Sequence, residues 1–222
     1  MTSRLVFTIT EILKQSKESG EVGTGMLDTD MLAQLGFSGV SHFSIDRTRR
    51  INIAKIAIAN GASISEIMDF MNWKDFEGFV AEILSENNFT CIESFRRRGN
   101  SQIHGMEIDV VGVRGRIIIA VDAKLWGVRG GKASALKSAA EKQKTRTEEL
   151  ANELHRLSAK LDLTEGVYIA YPMLVTWLVE EVELYEGVPV VPVFKLNSFI
   201  LDFEQYTDLV VSFPGVLNFQ TK

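Results

Sequence analysis

Two aspartates interrupt stretches of sequence that are otherwise apolar. Asp109 lies within Ile108–Val111, and Asp122 lies near the end of Ile117–Lys124. A charged group in a buried strand costs several kcal/mol unless it is paired or binds a metal. Carboxylate oxygens are the ligands that Mg²⁺ and Mn²⁺ prefer. The pattern therefore indicates either metal-assisted chemistry or a buried ion-pair cluster.

Whether the two aspartates meet depends on the turn between their strands. Gly115–Arg116 fits a two-residue hairpin loop with glycine at its first position, as a type II′ turn requires. Counting outward from that loop predicts Asp109 opposite Asp122 and Glu107 opposite Lys124. Because side chains alternate along a strand, these four residues would share one face. The opposite face would then carry Ile108, Val110, Ile119 and Val121.

Two carboxylates directly across from each other repel. A divalent cation removes that repulsion, and Asp109, Asp122 and the backbone carbonyl of Ala123 would hold Mg²⁺, or Mn²⁺, beside a substrate phosphate. Lys124 could then orient water or neutralise charge that develops on the phosphate. The implied reaction is hydrolysis of a phosphodiester. The alternative for the same residues is a structural salt-bridge cluster of Asp122, Lys124 and Glu107.

The pattern resembles the PD-(D/E)XK nuclease superfamily. Gly105–Asp109, a gap of twelve residues and then Asp122-Ala-Lys124 are similar to its catalytic motifs. Trp73–Val80 is similar to the first helix of its Mrr-like and archaeal Holliday-junction-resolvase-like branches, and the resemblance covers about residues 73–193. It implies Mg²⁺-dependent DNA cleavage on a restriction-endonuclease-like fold. It also implies site roles: Asp109 and Asp122 as metal ligands, Lys124 as the catalytic lysine, Glu77 as an auxiliary acid, and Gln143 as the polar residue of the helix that follows.

The charge distribution is uneven along the chain. The net charge is −5, but residues 94–146 hold twelve Lys or Arg against four Asp or Glu. A local excess of cations favours a phosphate-tracking surface, since binding to a polyanion depends on local charge. A solvated helix face with a solubilising loop is the alternative. Predicted nucleic-acid contacts are the arginines of one polar loop and the cations of a glycine-rich loop over the site: Arg96, Arg97 and Arg98, and Arg129 and Lys132.

Other patterns exclude competing functions. Gly127–Lys132 lacks the first glycine and the final Ser or Thr of a phosphate-binding P-loop. His104 and His155 lack metal-ligand spacing, and a single cysteine, Cys91, cannot form an internal disulfide. The longest uncharged stretch, residues 166–179, is shorter than the roughly 18 residues of a membrane span, and the first residues do not resemble a signal peptide. We expect a soluble, cytoplasmic protein with no membrane partner.

Periodicity predicts the order of the elements. Helices are predicted at residues 48–60 and 66–71, which form either a helix-turn-helix or a plain αα-hairpin, and at residues 75–87. Then follow strands at 89–95, 106–113 and 116–125, a helix at 132–161, a strand at 167–171, a helix at 173–185 begun by Pro172, and a strand at 188–194. The predicted fold class is α/β, with an αβββαβ core and a mixed sheet, preceded by a small helical N-terminal domain. The predicted domains are residues 1–72 and 73–222.

The sequence thus predicts a metal-dependent DNA endonuclease. A catalytically inactive DNA-binding or scaffolding module of the same fold is the alternative, and an RNA nuclease is a third reading. A homodimer is possible, because cutting two strands is simplest with two copies of one site.

Overall fold

The structure is a computed structural model, and it describes residues 3–37, 39–99, 105–125 and 132–218. For Lys132 only the backbone is described, and the predicted phosphate contact Arg129 lies outside these ranges. The chain divides into two compact units, Met1–Phe79 and Val80–Lys222. The domain bounds at residues 72 and 73 stay a prediction.

The first unit contains four helices and two short strands in its described residues, followed by the start of a fifth helix. In chain order these are α1 Arg4–Ser19, β1 Glu21–Gly23, α2 Thr29–Gln34, β2 His42–Ser44, α3 Arg47–Ala59, α4 Ile64–Asp69 and α5 Trp73–Glu86. The second unit continues with β3 Thr90–Arg97, β4 Met106–Arg114, β5 Ile117–Lys124, α6 Lys132–Asn152, α7 Leu154–Ser158, β6 Gly166–Thr176, β7 Leu184–Tyr185, β8 Val188–Pro192, α8 Val193–Leu201, α9 Phe203–Tyr206 and β9 Phe213–Leu217.

A buried ion pair fixes the beginning of α5. The Nε of Arg50 donates to the Oδ2 of Asp75 at 3.0 Å, and the same guanidinium donates to the carbonyls of Leu13 and Phe70 at 3.0 and 2.7 Å. Asp75 also accepts from the amide of Asn72, whose side-chain oxygen accepts from the amide of Asp75. This reciprocal cap satisfies amides that have no partner inside the helix. It explains why the predicted helix at 75–87 begins at Trp73.

The second unit is built on a mixed sheet of seven strands among the described residues. The strand order is β3-β4-β5-β6-β8-β7, with β9 paired to β6. β3, β4 and β5 are antiparallel neighbours, whereas β5–β6 and β6–β8 are parallel and need crossover connections. Helix α6 supplies the crossover between β5 and β6. The predicted mixed α/β fold, with its αβββαβ order from α5 to β6 and a helical N-terminal part, is confirmed.

The prediction of a helix at residues 173–185 is wrong. Strand β6 runs from Gly166 through Pro172 to Thr176, and β5 pairs with it from Ile169 to Thr176. Pro172 lacks an N–H, which normally keeps proline out of central strands. Here it lies between two ladders, because β9 pairs with β6 up to Ala170 and β8 pairs with it from Leu174 onward. The amide of Ile169 donates to Arg116 on the β5 side, so by strand alternation the nitrogen of Pro172 faces away from β5 and toward this gap. The missing donor therefore costs no ladder hydrogen bond, and the buried apolar run remains a strand.

Two other element boundaries also differ from the prediction. The long helix predicted at 132–161 is two helices, since α6 ends at Asn152 and α7 begins at Leu154. The last predicted strand ends at Pro192, and the helix α8 begins at Val193. None of the helices in the described part of the chain combines the length and apolarity that a membrane span needs.

The hairpin between β4 and β5 follows the predicted register. Arg114 pairs with Ile117 around a loop whose Gly115 has a φ of 59°, a value that favours glycine. The pairing continues outward to Val110 opposite Val121. This register sends Asp109 and Asp122 to the same end of the hairpin.

Arg97 links the end of β3 to the helix that covers the sheet. Its side chain is only 5% exposed, and it forms ion pairs with Glu149 at 2.8 Å and Glu153 at 2.9 Å. The neighbouring Arg96 is 61% exposed and pairs with Glu107. Arg96 and Arg97, predicted as nucleic-acid contacts in a polar loop, lie in β3, and the guanidinium of Arg97 is held inside the protein by two carboxylates.

We expect Arg97→Met to lower the free energy of unfolding by about 2–4 kcal/mol, because it leaves two carboxylates without their buried partner. Arg96→Met is the matched control, and its exposed pair should contribute within about 1 kcal/mol. Urea unfolding of both variants measures the difference. Equal stability of the two variants would contradict the structural role of Arg97.

Candidate active site

Asp109 and Asp122 meet where the hairpin ladder stops. Beyond the Val110–Val121 pair, the amide of Ala123 donates to the Oδ2 of Asp109 at 2.8 Å. Because the carbonyl of Lys124 accepts from Trp177 on the β6 side, strand alternation turns the amide and carbonyl of Ala123 toward β4. A side chain thus replaces the next backbone partner. Asp109, Asp122 and the Ala123 carbonyl consequently lie at one end of the hairpin.

The two carboxyl groups, called here the carboxylate pair, interact directly. Burial is the largest cause that raises the pKa of Asp109, to about 6, and the charge of Asp122 raises it further. A hydrogen bond between the two carboxyl groups acts in the same direction, whereas the Ala123 amide and the charge of Lys124 lower the pKa. Two neighbouring carboxylates that are largely shielded from water favour binding a shared proton or a cation.

Two cations contact Asp122, whose side chain is 4% exposed. The Nζ of Lys124 lies 2.7 Å from its Oδ2, and the Nη1 of Arg146 lies 3.5 Å from its Oδ1. Lys124 reaches Asp122 along the same strand, since residues two apart share a face. Arg146 reaches it from α6. The carboxylate pair, Lys124 and Arg146 form what we call the charge cluster, with two acids and two bases.

Gln143 supports the cluster from α6. It is fully buried, and its Nε2 donates to the carbonyl of Ala120 at 2.8 Å, two residues before Asp122. Its Oε1 is buried and accepts no hydrogen bond within the described part of the chain. Buried polar atoms are normally paired, so this oxygen is an acceptor still open to a donor.

Arg146 is the site residue that the sequence did not reveal. It lies three residues after Gln143, so the two project from neighbouring positions on α6. That spacing was the available signal. The spacing points to the site only because α6 packs with the face that carries both residues turned toward β5.

The regular alternation of side chains between the two faces of the sheet is interrupted in β4 at Asp109. Ile108 and Val111 belong to the same apolar cluster, although three residues apart on a regular strand would face opposite ways. Across from Asp109, Ser94 has a φ of 51°, and the β3–β4 ladder pairs its neighbours but not this residue. A left-handed residue within a strand is uncommon for any side chain other than glycine. The predicted strict alternation of Ile108 and Val110 with Glu107 and Asp109 is therefore wrong at this point.

Glu107 is separated from the charge cluster. Its carboxylate accepts from the Nε and Nη2 of Arg96 at 2.9 and 2.6 Å and is 46% exposed. The alternative of a salt-bridge cluster in which Glu107 joins Asp122 and Lys124 is therefore not what forms. Arg146 takes part in its place.

The remaining predicted residues are dispersed. Arg98 is exposed, whereas Arg96 is bound to Glu107 at the surface. Glu77 is buried on α5 and belongs to the first compact unit, while the charge cluster belongs to the second. The roles of Glu77 as an auxiliary acid and of Arg98, Arg129 and Lys132 as phosphate contacts stay predictions.

The donor set fits a hard divalent cation. Two carboxylates and a backbone carbonyl are oxygen ligands, and Mg²⁺ commonly uses one or two carboxylates together with water and substrate phosphate. The described residues contain no group of three His, Cys, Asp or Glu that could hold a metal by itself. The arrangement therefore suits a cation that takes part of its coordination from a substrate.

Fold and cluster define a mixed α/β protein with two carboxylates and a lysine at the end of a β-hairpin. The chain is 30% identical over 136 residues, 61% of its length, to an uncharacterized protein of Archaeoglobus fulgidus, and the alignment covers 95% of that protein. It belongs to the same family as this archaeal protein. No family model matches the chain.

Two solved structures show limited similarity. The crystal structure of protein VC1899 from Vibrio cholerae aligns with 92% of this chain at 13% identity and a TM-score of 0.38. The crystal structure of a protein of unknown function, AF1548, aligns with 48% of it at 20% identity and a TM-score of 0.28. This chain spans 51% and 59% of the lengths of those chains. Similarity this low supports no inference about function.

We expect Asp109→Asn to stabilise the metal-free protein at about pH 8. The pKa of Asp109 rises from 3.8 in the unfolded chain to about 6, so its carboxyl group favours folding below pH 3.8 and loses that contribution as the pH rises through about 6. At about pH 8 the ionised group opposes folding, and its removal should add about 2 kcal/mol.

Thermal melts in EDTA test this expectation. The melting temperature of Asp109→Asn should exceed that of the wild type at about pH 8, and the difference should vanish below about pH 4. Glu107→Gln, a change of an acid to its amide on the same strand, is melted in parallel as the matched control. A constant difference across the pH range would contradict the raised pKa.

Proposed function

We propose that the protein is a Mg²⁺-dependent endonuclease that hydrolyses phosphodiester bonds of DNA. The observation that carries the proposal is the close approach of Asp109 and Asp122, with Lys124 2.7 Å from Asp122, at the end of an otherwise apolar hairpin. Burying charged side chains costs folding free energy, and replacing a buried ion cluster by apolar residues often leaves the stability unchanged or raises it. A chemical role is the best account of why this cluster is present.

In this proposal Asp109, Asp122 and the Ala123 carbonyl hold Mg²⁺ or Mn²⁺. When bound, such a cation polarises a phosphoryl oxygen and lowers the pKa of water. The side chain of Lys124 is 23% exposed, so its ammonium can also contact a phosphate. Its positive charge stabilises negative charge that develops as the phosphodiester is attacked. Gln143 holds the β5 backbone at Ala120 and thereby keeps Asp122 in position.

The basic segment supports DNA as the substrate. Residues 94–146 contain the lysine, the hairpin and most of α6, and they carry a large excess of cations in an acidic chain. Such a segment attracts a polyanion by displacing its counterions. A cytoplasmic location, an auxiliary role of Glu77, phosphate contacts through Arg98, Arg129 and Lys132, and a homodimer that cuts both strands belong to the same proposal.

A catalytically inactive DNA-binding or scaffolding module is the second candidate. The observation that favours it is the balance of charge, because Lys124 and Arg146 already neutralise the carboxylate pair. A site that is neutral by itself attracts a dication weakly. This candidate predicts DNA binding without cleavage in either Mg²⁺ or Mn²⁺.

We expect Asp122→Asn and Lys124→Ala each to reduce nicking of supercoiled plasmid in Mg²⁺ by at least about a hundredfold, because one removes a metal ligand and the other a charge on the reacting phosphate. Glu107→Gln, an exposed acid two residues before Asp109, is the matched control and should retain wild-type cleavage. Agarose gels over a time course measure the rates, and circular dichroism verifies folding.

Cleavage that survives both substitutions in folded protein would refute the proposed site. If the wild type binds DNA and cuts neither plasmid, linear duplex nor branched DNA, the scaffolding candidate is favoured instead. Matched RNA substrates separate a ribonuclease from a deoxyribonuclease.

A further inference from the structure

Arg146 contacts a carboxylate oxygen of Asp122, which is a metal ligand in the proposed function. Its Nη1 contacts the Oδ1 of Asp122, while Lys124 contacts the Oδ2, so both oxygens of this carboxylate already face a cation. Asp122 is nearly buried at 4% exposure. A dication that approaches either oxygen of Asp122 therefore meets the positive charge of one of the two side chains.

Arg146 is the weaker of the two partners. Its contact is 3.5 Å against 2.7 Å for Lys124, and it reaches Asp122 from α6 rather than from the same strand. Its side chain is 33% exposed, so it has access to solvent and to a ligand. Guanidinium groups bind phosphate in a bidentate manner, which a carboxylate contact at 3.5 Å does not match.

We propose that Arg146 holds the metal-binding oxygen of Asp122 until a DNA phosphate draws it away, so that DNA and a divalent cation bind cooperatively. The exchange keeps every charge paired: the guanidinium moves to the phosphate, and Asp122 receives the cation in its place. Asp109 and Lys124 remain where they are. This inference rests on the proposed nuclease function and adds to it an order of assembly.

The effect of DNA on metal binding and the effect of metal on DNA binding must be equal. If DNA raises the affinity for metal, metal raises the affinity for DNA by the same factor, and couplings of this kind are typically about 5–150-fold. Metal alone would bind weakly, because it must displace Arg146 with nothing to receive the guanidinium. An enzyme built this way keeps its catalytic cation only in the presence of substrate.

Mn²⁺ binding measured by electron paramagnetic resonance tests the coupling directly. The wild type should bind Mn²⁺ at least about fivefold more tightly in the presence of a short DNA duplex than without it. Arg146→Met should bind Mn²⁺ alone more tightly than the wild type does, and DNA should then raise the Mn²⁺ affinity by a smaller factor than it does in the wild type. Arg146→Lys, which keeps the charge but not the bidentate fork, should retain part of the coupling.

Lys142→Met is the matched control, because it removes an exposed positive charge one turn earlier on α6. It should change the Mn²⁺ affinity only slightly and leave the coupling as in the wild type. A merely structural Arg146 would lower the melting temperature of Arg146→Met without tightening Mn²⁺ binding.

The outcomes separate the two proposals. If Asp122→Asn abolishes Mn²⁺ binding and the wild type cleaves DNA, but Arg146→Met leaves metal affinity and coupling unchanged, the role of Arg146 is refuted and the nuclease function stands. If the wild type binds no Mn²⁺ with or without DNA, both proposals fail.

Discussion

The repulsion between two nearby carboxylates is the constraint around which the second unit of this protein is arranged. The hairpin register brings Asp109 and Asp122 together, and the neighbouring groups each reduce the cost: the Ala123 amide, Lys124 and Arg146. The raised pKa of Asp109 shows that the compensation is incomplete. Groups held at a cost that the fold itself does not require are a common mark of functional sites.

Local rules were sufficient for the part of the site that lies on one hairpin. A two-residue turn with glycine at its first position fixes register, and register alone determines that Asp109 and Asp122 meet. The order αβββαβ likewise follows from the period of apolar residues, since long amphipathic segments and alternating strands are strong signals. These features depend on neighbours in sequence.

Features that depend on packing between distant segments were not accessible in the same way. Pro172 indicates a helix start by local rules, and only the gap between the β8 and β9 ladders shows why a strand tolerates it. Arg97 was grouped with Arg96 and Arg98 by sequence, but the path of α6 places Glu149 and Glu153 beside it. Arg146 enters the site for the same reason, because the packing of α6 against the sheet determines which of its polar residues reach the end of β5.

The interruption of side-chain alternation at Ser94 and Asp109 determines the charge of the site. Strict alternation would have added Glu107 to the carboxylate pair, giving three acids against two bases and a site that attracts a dication unaided. Instead Glu107 is bound by Arg96 at the surface, and two acids face two bases. A dication added to such a neutral cluster needs additional negative charge nearby. A phosphodiester supplies that charge, so the same local irregularity that separates Glu107 makes metal binding depend on the substrate in the function we propose.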